Sequence, residues 1–155
     1  MVLILGYLDI FLAIFIVLLF TIFFENFNKI QMSKILIIDD DEEILHSLDY
    51  LLTANGFIVE TERRWQNITR RIDLFDPELI LLDVALGGED GRNISRQIKS
   101  GLFTKNIRVI LLSANHSVDR NLPDSLADDF IKKPFEPKEL IEKIQSHFSD
   151  KTVKN

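Results

Sequence analysis

Lys34-Ile35-Leu36-Ile37-Ile38 runs without a break into Asp39-Asp40-Asp41. An uninterrupted apolar run that ends abruptly in carboxylates reads as a strand buried on both faces, and only a sheet covered on both sides accommodates it. In an open α/β sheet the carboxyl ends of the strands are where ligands bind. The pattern recurs at Leu79-Ile80-Leu81-Leu82-Asp83. Two such strands bring several carboxylates to one sheet edge. Clustered carboxylates repel one another, and a hard, oxygen-loving cation such as Mg²⁺ compensates them best.

From Met32 onward, strand and helix patterns alternate. Ile35–Ile38 is the first strand. Asp41 is placed to cap a helix whose first turn carries Glu42 and Glu43. Ile44, Leu45, Leu48, Leu51 and Leu52 form its apolar face, and Asn55-Gly56 ends it. Phe57–Val59 is a short second strand. A second helix covers Arg64–Phe75, with Trp65, Ile68, Ile72 and Phe75 inward, and Asp76-Pro77 breaks it. Leu79–Leu82 is the third strand. Gly87 to Gly91 is a loop before a helix over Arg92–Ser100. Ile107–Leu112 is the fourth strand, followed by a polar stretch with Pro123 that holds a poor, short helix. Phe130–Lys132 is the fifth strand, and Pro137–Phe148 a final helix with Leu140, Ile141 and Ile144 inward. Such alternation predicts an α/β fold, a doubly wound parallel sheet with helices on both faces.

The chain has 155 residues, enough for one ordinary domain with a single core. A net charge of −6 provides no overall attraction to nucleic acid or anionic lipid. Cysteine is absent, which excludes a disulfide framework, a thiolate zinc site and a cysteine nucleophile. His46, His116 and His147 are far apart and have no metal-ligand spacing, so they read as surface or helix-face residues.

Three segments follow from composition: residues 1–31, a folded domain over 33–149, and a polar tail over 150–155. Val2 to Phe24 is almost wholly apolar, with Asp9 its only charge. It is long enough to cross a hydrocarbon core of about 30 Å as a helix. No basic residue precedes Lys29, so the start of a secretory signal peptide is missing. Lys29 and Lys34 on its C-terminal side would hold the rest of the chain in the cytoplasm. A second reading starts the protein at Met32, immediately before the first strand, and assigns residues 1–31 to an over-extended gene model. Both readings stand on the sequence: a membrane anchor or a mis-annotated start.

Asp39 and Asp40 follow the first apolar run, Asp83 the third, Ser113 the fourth, and Lys133 the fifth. In a doubly wound sheet these ends share one edge. A metal-binding acid cluster, a hydroxyl and an ammonium together suit a phosphoryl group, with one carboxylate available as nucleophile. Asp41 reads as a helix cap rather than a member of the acid pair. Lys132, next to Lys133, points the opposite way in a strand. Gly87-Gly88 lacks the Lys-Ser/Thr continuation of a phosphate-binding loop and reads as a turn.

Five motifs now stand in order: Ile38-Asp39-Asp40, Leu79 to Asp83, the Gly-rich loop ending in Asp90-Gly91, Leu112-Ser113-Ala114, and Asp128-Asp129-Phe130-Ile131-Lys132-Lys133-Pro134-Phe135. From about Ser33 to Phe148 the chain resembles a receiver domain of bacterial two-component response regulators. The resemblance implies a flavodoxin-like (CheY-like) sheet of five parallel strands in the order 2-1-3-4-5. It implies that Asp83 accepts phosphate from the phosphohistidine of a histidine kinase or histidine phosphotransfer protein. Mg²⁺ would be held by Asp40, Asp83 and the backbone carbonyl of Ala85, with Asp39 acting through water. Lys133 would pair with the phosphoryl oxygens, or with Asp83 before phosphorylation. Ser113 and Phe130 would be the switch residues, and the Lys133-Pro134 bond is expected to be cis. A surface of the fourth helix, fifth strand and fifth helix would then bind an unidentified downstream protein.

The resemblance further implies a stand-alone phosphoacceptor that catalyses only its own phosphorylation and dephosphorylation. Phosphatases that turn over external substrates through an aspartyl phosphate need a second acid two residues after the nucleophile. Ala85 stands there. Nucleic acid is not an expected partner, because no helix-turn-helix and no basic face are present. The stretch from Ser113 to Asp128 is shorter than in many receivers, and Leu126 stands where Gly often precedes Ala-Asp-Asp. The fourth helix is therefore expected to be short, bent or displaced.

Overall fold

Strand residues alternate between two apolar layers, and that alternation builds the sheet. The computed structural model describes residues 12–24, 33–114 and 124–149. In β1 (Lys34–Ile38), Ile35 and Ile37 join one layer while Leu36 and Ile38 join the other. β3 (Leu79–Asp83) splits into Leu79 and Leu81 against Ile80 and Leu82. β4 (Arg108–Ser113) splits into Ile110 and Leu112 against Val109 and Leu111. All of these apolar side chains are fully buried, so the strands read as continuous apolar runs.

β2 (Ile58–Glu62) and β5 (Asp129–Lys132) form the two edges. The order is β2-β1-β3-β4-β5, and every neighbouring pair is parallel. This is the expected flavodoxin-like order 2-1-3-4-5. Helices α1 (Glu42–Ala54) and α4 (Pro137–Ser149) cover one face with Leu45, Leu48, Leu52, Leu140, Ile144 and Phe148. On the other face lie α2 (Ile68–Phe75) and α3 (Gly91–Ser100), contributing Ile68, Ile72, Phe75, Ile94 and Ile98. Fully burying one such side chain contributes about 1.5–3 kcal/mol, so the two layers carry most of the folding free energy.

Several boundaries differ from the sequence reading. β2 runs on through Glu60, Thr61 and Glu62, because its ladder stays in register with β1 from Lys34↔Ile58 to Ile38↔Glu62. Pairing with a long neighbour, not apolar pattern, sets its length. The second helix begins as a 3₁₀ turn, Trp65–Asn67. Arg64 is extended and no side chain caps that start, so the first turn closes in the tighter form. Asp76, with φ +52°, ends α2 by donating its N–H to the Ile72 carbonyl. Gly87-Gly88 is the turn of a small antiparallel ribbon, Ala85–Leu86 with Glu89–Asp90. Their φ values of +51° and +99° suit glycine at both positions.

The expected short helix after Ser113 falls mainly on residues 115–123, outside the described residues. Residues 124–125 are helical, and the chain then turns at Leu126 with φ +57°. Glycine is favoured at such a position because it adopts left-handed backbone without a Cβ penalty. The tail 150–155 also lies outside the described residues. Residues 12–24 are helical and their apolar side chains are exposed. No described helix is long and apolar enough to cross a membrane. The anchor reading also depends on residues 1–11, outside the described residues.

Candidate functional site

Four strand ends meet at the carboxyl edge of the sheet. Asp39 follows β1 and is almost completely buried. Its Oδ1 accepts from the Asp41 N–H at 3.0 Å, and its Oδ2 accepts from Lys133 Nζ at 2.7 Å. Asp40 is exposed, and its Oδ2 accepts from the Gly87 N–H at 3.2 Å. Asp41 has the separate job its position implied. Its Oδ1 caps α1 by accepting from the N–H groups of Glu43 and Ile44 at 2.8 and 3.3 Å.

Asp83 closes β3 and is 6% exposed. One carboxylate oxygen accepts from Lys133 Nζ at 2.6 Å and the other from the Ala85 N–H at 2.7 Å. Ser113 closes β4 and is buried; its carbonyl accepts from the Lys133 N–H at 2.7 Å. Lys133 follows β5 and precedes a cis bond to Pro134. Lys132 is exposed and takes no part. Phe130, on β5, is half-buried against the layer under α2 and α3, with Lys143 Nζ 5.8 Å from its ring centroid. All the residues of the expected site except Phe130 line or adjoin one cavity of about 310 Å³.

Gly91, at the end of the Gly-rich loop, bears on the site from behind Asp83. A Cβ there would collide with the Asp83 carbonyl oxygen. The start of α3 therefore presses on the backbone of Asp83, and only glycine permits that approach. The signal was Asp90-Gly91 itself: Asp90 caps α3 by accepting from the Arg92 N–H at 2.9 Å.

The electrostatics are unbalanced. Burial pushes the Asp83 carboxyl above the ordinary carboxylate range, Asp39 adds repulsion, and the Lys133 contact only partly offsets both. Burial alone would lower Lys133, but its hydrogen bonds to Asp39 and Asp83 outweigh that and hold its pKa above the ordinary lysine value. One ammonium thus faces three carboxylates. Asp39, Asp40 and Asp83 each offer an oxygen within 4.8 Å of the others. An all-carboxylate donor set with excess negative charge fits a hard divalent cation.

Residues 35–145 match the family described as the response regulator receiver domain. The chain belongs to that family. Among its relatives is PetR of Rhodobacter capsulatus, 36% identical over 114 residues, which cover 72% of this chain and 47% of PetR. Another is the transcriptional regulatory protein GltR of Pseudomonas aeruginosa, 35% identical over 115 residues, covering 73% and 48%. The chain spans about half the length of these curated relatives. Its structure resembles the response regulator TrrA of Thermotoga maritima, solved in complex with Mg²⁺–BeF. The TM-score is 0.68 and the identity 26%, covering 74% of this chain and 98% of that one. As a receiver domain of two-component signalling it belongs with phosphoacceptors that bind Mg²⁺ at an acidic pocket and interact with histidine kinases and downstream effectors.

Proposed function

We propose that this receiver domain takes a phosphoryl group onto Asp83 and uses the change in charge to switch a protein-binding surface. The observation that carries the reading is the pair of contacts on Asp83: one oxygen bound by Lys133 and the other by the Ala85 N–H, beside Asp39 and Asp40. A carboxylate oxygen of Asp83 attacks the phosphorus of a phosphohistidine, the P–N bond breaks, and the imidazole leaves. Lys133 turns from the carboxylate to the new phosphoryl oxygens, and the Ser113 hydroxyl donates to another. Asp40, Asp83 and the Ala85 carbonyl are the groups that would hold Mg²⁺, with Asp39 acting through water. When bound, Mg²⁺ neutralises the charge of the carboxylates and the incoming phosphoryl group.

Phosphorylation adds about two negative charges and three acceptor oxygens. β4 and β5 carry Ser113 and Lys133, so their ends shift, and Phe130 on β5 follows. The donor is a histidine kinase or histidine phosphotransfer protein. In this reading the domain over 33–149 works as a switch on its own or as a phosphorelay intermediate. It catalyses only its own phosphorylation and dephosphorylation. It acts in the cytoplasm, tethered to the membrane if residues 1–31 belong to the natural protein. The test is exposure of the chain to Mg²⁺ and a small phosphodonor, followed by intact-mass measurement. One added phosphate is expected, and none in Asp83→Asn. A mass gain that persists in that variant refutes the assignment.

A further inference from the structure

Beside the acid site, past the end of β2, lies a second cavity of about 750 Å³. Its lining includes Thr61, Arg63, Arg64, Trp65, Gln66 and Gly87. The volume falls within the range of about 300–1,000 Å³ common to small-molecule sites. Trp65 is half-buried, packed on the apolar layer beneath α2, and still lines the cavity. Such an indole offers a flat apolar surface on which another ring can stack.

The arginines around it are not equivalent. Arg63 is paired with Glu42 at 2.8 Å, and Arg71 with Glu62 at 3.0 Å and Glu60 at 3.3 Å. Those charges are already met. The guanidinium of Arg64 has no hydrogen-bond or ion-pair partner among the described residues, and neither has that of Arg70. Arg64 also lines a smaller neighbouring cavity of about 250 Å³, which Arg70 lines as well. Arg64 therefore brings an uncommitted planar fork of N–H donors to a cavity that also holds an aromatic ring, and Arg70 belongs to the smaller cavity alone. Guanidinium groups bind phosphate oxygens through paired, charge-assisted hydrogen bonds.

We propose that this cavity binds a nucleoside phosphate, its base stacked on Trp65 and its phosphate held by Arg64. Thr61 and Gln66 supply polar groups for the sugar and the base edge. The cavity shares Asp40 with the acid site, and Gly87, which lines the cavity, donates its N–H to Asp40 Oδ2. An occupant therefore touches the loop that steadies Asp40 and has a direct route for tuning that site. Nucleotide binding here is independent of phosphate transfer to Asp83.

Trp65 is the only tryptophan in the chain, so its fluorescence reports this cavity alone. The full chain is titrated with AMP and with GMP, then with ribose 5-phosphate and with inorganic phosphate. A saturable quench by at least one nucleotide is expected, with ribose 5-phosphate competing but not quenching. Arg64→Gln should weaken binding by about tenfold or more, with the circular dichroism melting curve unchanged. By calorimetry, Trp65→Phe should retain most of the affinity and Trp65→Leu should lose it. Absence of saturation at about 10 mM of either nucleotide overturns the proposal. Inorganic phosphate or an acidic peptide competing as well as the nucleotide also overturns it, by marking a bare anion site or a protein contact.

Discussion

Lys133 Nζ lies 2.6 Å from Asp83 Oδ1, joining groups 50 residues apart in the chain. The same ammonium reaches Asp39 at 2.7 Å. Both carboxylates are buried, so this one cation sets the cost of leaving them charged.

Lys133→Met should therefore destabilise the fold by about 3 kcal/mol, because it strands buried negative charge. Added Mg²⁺ should recover part of the loss, since it meets the same carboxylates. Urea denaturation with and without Mg²⁺ measures both effects. Unchanged stability without Mg²⁺ would mean that water already satisfies Asp39 and Asp83.

Gly91→Ala should cost about 2 kcal/mol or more, because the new Cβ lands on the backbone of Asp83. The displaced Asp83 should also accept phosphate more slowly. Denaturant midpoints and a phosphorylation time course check the two parts. A variant with wild-type stability would show that the start of α3 moves freely.

Leu126→Gly should stabilise the domain by about 1 kcal/mol. Relief of a left-handed leucine is worth about 1–3 kcal/mol, and the greater freedom of glycine in the unfolded chain removes part of the gain. Thermal unfolding decides the sign, and a lower Tm would contradict the strain at this turn.

Glu62 should make the fold acid-sensitive. Burial pushes its pKa up, but the Arg64 N–H at 2.9 Å and the Arg71 guanidinium at 3.0 Å outweigh that and hold it below the ordinary range. A folded-state pKa below the unfolded one gives stability that is complete above the unfolded value of about 4.3. That stability disappears as pH falls through the folded pKa. Glu62→Gln should flatten the decline on the acid side in a series of Tm values against pH. An unaltered slope would remove Glu62 from the account.

Much of this architecture is written in local pattern. The run from Lys34 to Asp41 contains a buried strand, two site acids and a helix cap, each distinguishable by its distance from the last apolar residue. Asp83, Ser113 and Lys133 follow from the same logic at other strand ends. What stayed hidden depends on partners distant in the chain. β2 extends through Glu60 and Glu62 because β1 pairs with it and Arg71 meets their charge. The need for glycine at 91 comes from contact with the Asp83 carbonyl, and no window of sequence around Gly91 contains that carbonyl. The 3₁₀ start at Trp65 reflects a missing cap, which apolar periodicity does not register.

The bond from Lys133 to Asp39 spans 94 residues, nearly the whole of the sheet in chain order. During synthesis, the acids therefore leave the ribosome long before the lysine that completes their site. An emerging chain that already displays Asp39 and Asp83 lacks the ammonium that pairs with both. The two buried carboxylates gain their counter-charge only when the last strand docks, so the end of the chain closes what its beginning opens.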